Sequence, residues 1–148
     1  MSGEIWALVD SLVESFSDVL SGDAMTVLPG WPADSELSAE MVFLSGTEMT
    51  ESVVPGFVGG ENVMVDELHE LTWDIGVMAK RKRADARARL EEIMSAMRGE
   101  ILRDPRRGEF PGLRECLFVA PTKTKCEPGP AGFEAYGQMT LAVHIRIN

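Results

Sequence analysis

A long alternation of apolar and polar residues near the C-terminal end constrains the fold of this chain more than any other sequence feature. From residue 135 to residue 147 the odd positions are apolar or small, and most even positions are polar. The odd positions are Ala135, Gly137, Met139, Leu141, Val143, Ile145 and Ile147. Because successive side chains of a strand point to opposite faces of a sheet, this pattern predicts a long strand with one buried face and one polar face.

The apolar face of such a strand needs other elements to cover it, and the remaining sequence supplies them. Residues 25–28, 41–44, 71–79 and 113–120 have strand character, and a loop is expected over residues 121–132. Apolar residues at helical spacing predict one helix from Ser2 or Gly3 to about Ser21, and a second helix that ends at Asp104-Pro105. The 148 residues are therefore expected to form a single α+β domain, with a mostly antiparallel sheet of four to five strands and two helices packed on it.

Residues 46–62 follow neither periodicity. They combine Gly, Ser, Thr and Pro with embedded apolar residues, among them Val53, Val54, Phe57 and Val58. Loops of this length are uncommon in compact domains and are often functional. Two interpretations stay open: a long flexible arm that becomes ordered against a neighbouring subunit, and a long hairpin folded back on its own sheet.

Charge is divided unequally along the chain. Residues 1–79 contain fifteen Asp and Glu and no Lys or Arg, whereas residues 80–148 contain nine acidic residues and all fourteen Lys and Arg, so the two parts carry net charges of −15 and +5. An acidic first half argues against nucleic-acid binding over the whole surface and against docking to an anionic membrane. Since no run of about twenty apolar residues occurs, we expect no membrane partner.

Two charged features are candidates for a subunit interface. The polar side of the first helix carries acidic residues at four-residue steps: Asp10, Glu14 and Asp18. A basic run of four residues follows the strand over residues 71–79: Lys80, Arg81, Lys82 and Arg83. It lies at the start of the second helix, and this end of a helix prefers anions. Each feature can be an ordinary solvated surface, and the basic run can also contact nucleic-acid phosphate. Alternatively, the two meet as opposite charges on adjacent copies and build head-to-tail contacts that close into a ring.

Signatures of catalysis and of metal binding are missing from the sequence. Neither His69 nor His144 lies in a nucleophile or metalloprotease signature, and no phosphate-binding glycine motif occurs. Cys116 and Cys126 lack the spacing of a zinc site, and two reduced thiols are expected rather than a disulfide. We therefore expect a protein that is not an enzyme and holds no metal or cofactor.

In size and element order, the chain resembles the tail terminator (tail-completion) family of long-tailed bacteriophages. An amphipathic helix precedes a short strand that ends in LPGWP at residues 28–32, and the excursion over residues 46–62 follows. The next strand contains WDIGV at residues 73–77 and runs directly into a helix. That helix carries Arg87, Arg89, Glu91 and Glu92. The last element of the resemblance is the final alternating strand, so the resemblance covers almost the whole chain.

The resemblance implies a structural virion protein that forms a hexameric ring on the finished tail tube, stops tube polymerisation and presents a surface to the head connector. The implied partners are further copies of the chain, the major tail tube protein and the head-completion (stopper) protein, with DNA passing only transiently through the lumen. The implied location is the neck of the virion, after assembly in the host cytoplasm. In similar proteins the long excursion is mobile in the free subunit and ordered in the ring. The alternatives are a head-closure (stopper) or other neck protein and, from a different class, a small-molecule-binding α+β module.

Overall fold

The computed structural model describes residues 3–20, 22, 24–54 and 64–147. In chain order these residues form α1 (Gly3–Val19), β1 (Met25–Leu28), a 3-10 turn (Asp34–Glu36), β2 (Glu40–Val54), β3 (Met64–Lys80), α2 (Arg83–Arg103), β4 (Leu113–Gly129) and β5 (Gly132–Ile147). The predicted α+β architecture, with a mostly antiparallel sheet and two helices, is confirmed.

The sheet has the strand order β1-β2-β3-β5-β4. β1 runs parallel to β2, and the other neighbouring strands are antiparallel. β3 and β5 pair from Val65–Ile147 to Lys80–Phe133 and form the centre of the sheet. The alternating stretch at the end of the sequence is thus a central strand, and β4 lies at one edge.

Both helices cover the same face of the sheet. Phe16 of α1 meets Trp73 of β3 edge-to-face, with ring centroids 5.2 Å apart. A Cβ atom built on Gly137 of β5 would lie 3.0 Å from a methyl group of Leu90 in α2, so the second helix rests directly on this glycine. Because the odd-numbered residues of β3 and β5 point toward the helices, the even-numbered residues form a second sheet face that has no helix on it.

β4 is longer than the sequence indicates. The expected loop over residues 121–132 is wrong, because the strand continues to Gly129 after a register shift between Val119 and Lys123. Prolines and exposed lysines hide the strand pattern there, and an edge strand tolerates proline because one of its sides is unpaired. Cys116 and Cys126 in this strand are free thiols, and burial raises the pKa of Cys116 to about 12.

Part of the excursion over residues 46–62 also belongs to the sheet. After a bulge at Ser45, β2 pairs with β3 without a break from Gly46–Thr72 to Val54–Met64. The predicted start of the arm at residue 46 is therefore corrected, because residues 46–54 satisfy their backbone hydrogen bonds on β3 and form the hairpin of the second interpretation. Residues 55–62 lie outside the described residues, and an arm there stays a prediction.

Candidate functional site

The outer side of α1 carries the acidic residues predicted for an interface. Asp10, Glu14 and Asp18 are exposed, because α1 turns its apolar side toward the sheet. None of the three forms a salt bridge within the part of the chain that the structure describes. Trp6, one helical turn before Asp10, is 46% exposed, although tryptophan side chains are highly buried on average. We call Trp6, Asp10, Glu14 and Asp18 the acidic helix face.

The basic run at the junction of β3 and α2 has two different environments. Lys80 places its Nζ 3.7 Å from Oε2 of Glu40, and the guanidinium of Arg83 lies 5.0 Å from the ring centroid of Phe133. Arg81 and Lys82 are exposed. Two of the four cations thus contact neighbouring side chains at this junction, although Arg83 is exposed like Arg81 and Lys82.

An ion pair that no sequence pattern indicates fixes the same junction. Glu40, the first residue of β2, is only 6% exposed and accepts hydrogen bonds of 2.9 Å from both Nε and Nη2 of Arg89 in α2. These hydrogen bonds hold the pKa of Glu40 below its usual value, although burial acts in the opposite direction. The two residues are 49 positions apart, so no local spacing rule connects them.

The apolar residues predicted for the interface lie at or beyond the far end of the β2–β3 hairpin. The backbones of Val53 and Val54 pair with those of Val65 and Met64. Phe57 and Val58 lie outside the described residues. The two valines at the end of β2 lie beside the start of β3, whereas the basic run begins at the other end of β3, so the structure does not bring them together.

The sheet face without helices carries a groove of about 650 Å³. Residues of β2, β3 and β5 form its floor, among them Phe43, Gly76 and Tyr136. The segment between β1 and β2 contributes Trp31 and Leu37, and β4 lies along the other side. The remaining lining residues are Pro32, Ser38, Met41, Asp74, Ile75, Met78, Lys123, Thr124, Lys125, Gly137 and Gln138.

Trp31 is held in a fixed position beside the groove and still faces solvent. Its Nε1 donates a hydrogen bond of 3.1 Å to the carbonyl oxygen of Ser45, and its ring lies 4.9 Å from that of Phe43. Trp31 is nevertheless 70% exposed, and the neighbouring Leu37 is 62% exposed. Large apolar side chains that are both held in place and exposed are typical of interaction surfaces.

The charged groups of the groove are an anchored carboxylate and two lysines. Asp74 accepts hydrogen bonds of 3.0 Å from Oγ of Ser45 and Nε2 of Gln138. Lys123 and Lys125 lie on the β4 side, and Nζ of Lys125 is 5.7 Å from the ring centroid of Tyr136. The lining thus combines an apolar floor with two lysines at its side.

Two further clusters of titratable residues lie at the other end of the sheet. Asp66 accepts a hydrogen bond of 2.8 Å from Nε of Arg146, which holds the pKa of Asp66 well below its usual range, and Nε2 of His144 is 3.1 Å from the same carboxylate. On the helix-covered face, His69 and Glu67 are buried with 3.0 Å between Nε2 and Oε1. Within the described residues, no group of three or more His, Cys, Asp or Glu converges on a possible metal site. The two described helices are each too short or too polar to cross a membrane.

No protein-family model and no curated protein matches the sequence. Among solved structures, a match is found with a chain in the virion of a native gene transfer agent (GTA) particle. The two chains share one fold. The superposition covers 99% of this chain and 100% of the virion chain, with a TM-score of 0.58 and a sequence identity of 10%. At this identity the likeness concerns the fold alone, and it extends over the whole α+β domain.

The fold separates the acidic helix face from the groove and brings the basic run close to the groove. α1 covers one face of the sheet, and the groove lies on the other. Lys125 lines both the groove and a smaller pocket that it shares with Arg83 and Arg87 of α2. Cations of the second half of the sequence therefore continue from the β3–α2 junction to the side of the groove.

Proposed function

We propose that this protein is a structural virion component of the tail terminator type. It forms a ring, a hexamer by its resemblance to that family, which caps the tail tube, ends tube polymerisation and provides the attachment surface for the head connector. The fold shared with a virion chain over 99% of the sequence carries the proposal. The element order that resembles tail terminators, from the first helix through the strand-to-helix junction to the final strand, is also the order of elements in this fold.

The distribution of charge supports head-to-tail assembly. The acidic helix face and the cations around Arg81, Lys82 and Lys125 lie on different parts of the surface. A contact between two different surfaces of identical chains is heterologous, and it closes into a ring when the rotation between neighbours permits. A two-fold contact through the acidic helix face would instead place like charges opposite one another, which costs free energy.

In this role the protein works through binding surfaces, without catalytic residues, metal or cofactor. Its partners are further copies of itself, the major tail tube protein and the head-completion (stopper) protein of the connector. DNA passes through the ring only transiently, and no membrane is involved. The protein is assembled in the host cytoplasm and resides in the neck of the virion.

Light scattering combined with negative-stain microscopy tests the ring. We expect the purified protein to form closed rings at high concentration or on addition of the tail tube protein. Polymerising tube protein should yield shorter tubes when this protein is added. A chain that stays monomeric at every concentration, with and without tube protein, would contradict the proposal.

Gene deletion separates a terminator from a head-closure (stopper) protein of similar size. Loss of a terminator should give abnormally long tails and unattached heads, because nothing stops polymerisation of the tube. Loss of a stopper should leave tails of normal length. Tail lengths measured by electron microscopy therefore decide between the two neck proteins.

The groove also supports a second candidate function, a small-molecule-binding α+β module. Its volume of about 650 Å³ and its aromatic floor fit the general properties of ligand sites. Native mass spectrometry of the purified protein tests this candidate. A small molecule bound at one copy per chain, and released on unfolding, would favour it over the terminator.

A further inference from the structure

We infer that the groove on the helix-free face of the sheet is the docking site for the acidic helix face of a second copy of this chain. The inference rests on the proposed ring, since it names the two surfaces through which neighbouring subunits meet. It assigns a role to two exposed tryptophans and to two lysines that the fold itself does not require.

The groove offers an apolar floor next to a row of positive charge. Phe43 and Tyr136 form part of the floor, and Trp31 is fixed beside it by its hydrogen bond to Ser45. Because the tryptophan ring is already held in place, little conformational entropy is lost when a partner covers it. Lys125 lies over the ring of Tyr136 and has an exposed ion pair with Glu127 at 3.4 Å, and exposed ion pairs are exchanged at little cost.

The acidic helix face offers the complementary pattern. Trp6, Asp10 and Glu14 follow one another at four-residue steps, so they form one row on the outside of α1. An exposed tryptophan next to carboxylates supplies an apolar anchor and negative charge in one surface. Aromatic anchors that enter apolar pockets carry much of the binding energy at protein interfaces.

The spacing of the charges agrees between the two surfaces. Asp10 and Glu14 are separated by about 6 Å along the helix axis, since each residue of a helix rises about 1.5 Å. Lys123 and Lys125 are separated by about 6.6 Å along β4, since each residue of a strand advances about 3.3 Å. Both pairs keep their two side chains on one side of their element, so two ion pairs can form at once when α1 lies along β4.

The contact must join two different molecules. The two helices lie on the opposite face of the sheet from the groove, so a chain cannot place its own α1 in its own groove. A nucleic acid is a poorer occupant, because the groove lining holds only two lysines beside the carboxylate of Asp74, and phosphate binding needs clustered cations. A second copy supplies both the acidic row and the apolar anchor.

Charge reversal on each surface tests the inference. The groove variant is Lys123→Glu with Lys125→Glu, and the helix variant is Asp10→Lys with Glu14→Lys. Each variant alone places like charges opposite one another at every contact, so we expect its self-association constant, measured by sedimentation equilibrium, to weaken by about tenfold or more.

An equimolar mixture of the two variants should restore assembly. The reversed groove of one variant then meets the reversed helix of the other, and the remaining contacts are those of the wild type. Strictly alternating rings are expected, and their formation also shows that both variants are folded. A matched control, Arg106→Glu with Arg114→Glu, makes the same change of charge at exposed residues away from the groove and should leave association unchanged.

The outcomes distinguish this inference from the proposed function. A wild-type protein that never forms rings contradicts the proposed function itself. If both single variants form rings as well as the wild type, the inference is overturned, and the proposed function is not contradicted. The inference is also overturned if neither the single variants nor their mixture form rings. It is overturned as well if the groove variant forms normal rings and loses only its binding to the tube protein, because another virion protein then occupies the groove.

Discussion

At the scale of single residues, arginine compensates two of the three buried carboxylates among the described residues, and the third, Glu67, lies next to His69. Glu40 is paired with Arg89, and Glu100 of α2 accepts hydrogen bonds from Arg103 and Arg107. The hydrogen bonds from Arg103 hold the pKa of Glu100 below its usual value. Arg107 also reaches Ser15 of α1, so this pairing joins both helices. The Glu40–Arg89 pair connects two elements that are distant in sequence, whereas the partners of Glu100 are close to it along the chain. Each pair should contribute to stability only while its carboxylate is ionised.

Glu40→Gln should lower the free energy of unfolding at neutral pH by about 2 kcal/mol, because two charge-assisted hydrogen bonds are weakened and Arg89 loses its buried counter-charge. The pKa of Glu40 is lowered in the folded state from its usual value of 4.5. Its contribution is therefore complete above that value and is lost as the pH falls through the folded-state pKa. Urea denaturation at neutral pH and at about pH 3 should show a smaller difference between variant and wild type in acid.

The matched control is Glu92→Gln, which changes the other carboxylate bound to Arg89. Nη1 of Arg89 lies 3.1 Å from Glu92, whose side chain is 67% exposed. Exposed pairs contribute little, so the expected loss is below about 0.5 kcal/mol. Equal losses at the two positions would show that the burial of Glu40 is not the source of the effect.

At the scale of elements, sequence periodicity locates most helices and strands but misses their full extent. β1 occupies the predicted residues 25–28, and α2 ends next to Asp104 as expected. β3 begins well before the predicted residue 71, at Met64. Its early part is hidden because Glu67 and His69 occupy positions that face the helices, where the alternating pattern requires apolar residues. Strand pairing with β2 and β5 decides the extent of β3, and pairing cannot be read from local pattern.

Gly137→Val should destabilise the packing of α2 on the sheet. A Cβ at this position lies 3.0 Å from Cδ1 of Leu90 and 3.2 Å from Sδ of Met94, both of which are buried in the core. Overpacking of this kind costs about 2 kcal/mol, which denaturant unfolding would measure. Gly76→Val in the neighbouring β3 is the control, since a Cβ there meets only the Tyr136 ring at 4.0 Å. The prediction is wrong if both variants lose the same stability.

The β2–β3 hairpin permits a direct test of the predicted arm. Val54 and Met64 are paired residues, so replacement of residues 55–63 by Asn-Gly gives a two-residue turn between strands in register. The free energy of unfolding should change by less than about 1 kcal/mol, because loop length has a small effect on stability. Ring formation, followed by light scattering, should be weakened, because Phe57 and Val58 are removed.

The control for loop length is Phe57→Ser with Val58→Ser in the full-length chain. If the apolar residues form part of the subunit interface, this variant and the shortened variant should lose association to a similar extent. If both variants form rings normally, the arm is not part of the subunit interface. The description of the fold does not depend on this result.

At the scale of the whole molecule, the division of charge along the sequence is only partly a division in space. The acidic residues of α1 lie on the helix side, as the interface hypothesis requires, whereas Asp66 and Asp74 of the same acidic half lie on the groove side. The groove itself could not be predicted, because its residues come from five separate segments that meet only when β1 to β5 are aligned. Its one signal in the sequence is the cluster of prolines around Trp31, which indicates a turn and not a binding surface.

Salt should change the self-association of the wild type and of the groove variant in opposite directions. The range of electrostatic attraction falls from about 10 Å at 0.1 M salt to about 3 Å at 1 M, so contacts between Asp10, Glu14, Lys123 and Lys125 weaken as salt rises. In Lys123→Glu with Lys125→Glu, the same screening removes repulsion, and salt should strengthen association through the apolar contact of Trp6. Sedimentation velocity across a sodium chloride series measures both trends. If salt weakens or strengthens the self-association of both proteins alike, these charges do not join the subunits. Where the acidic row and the lysines do meet, reversing the charge of one side must invert the sign of the electrostatic contribution to the contact.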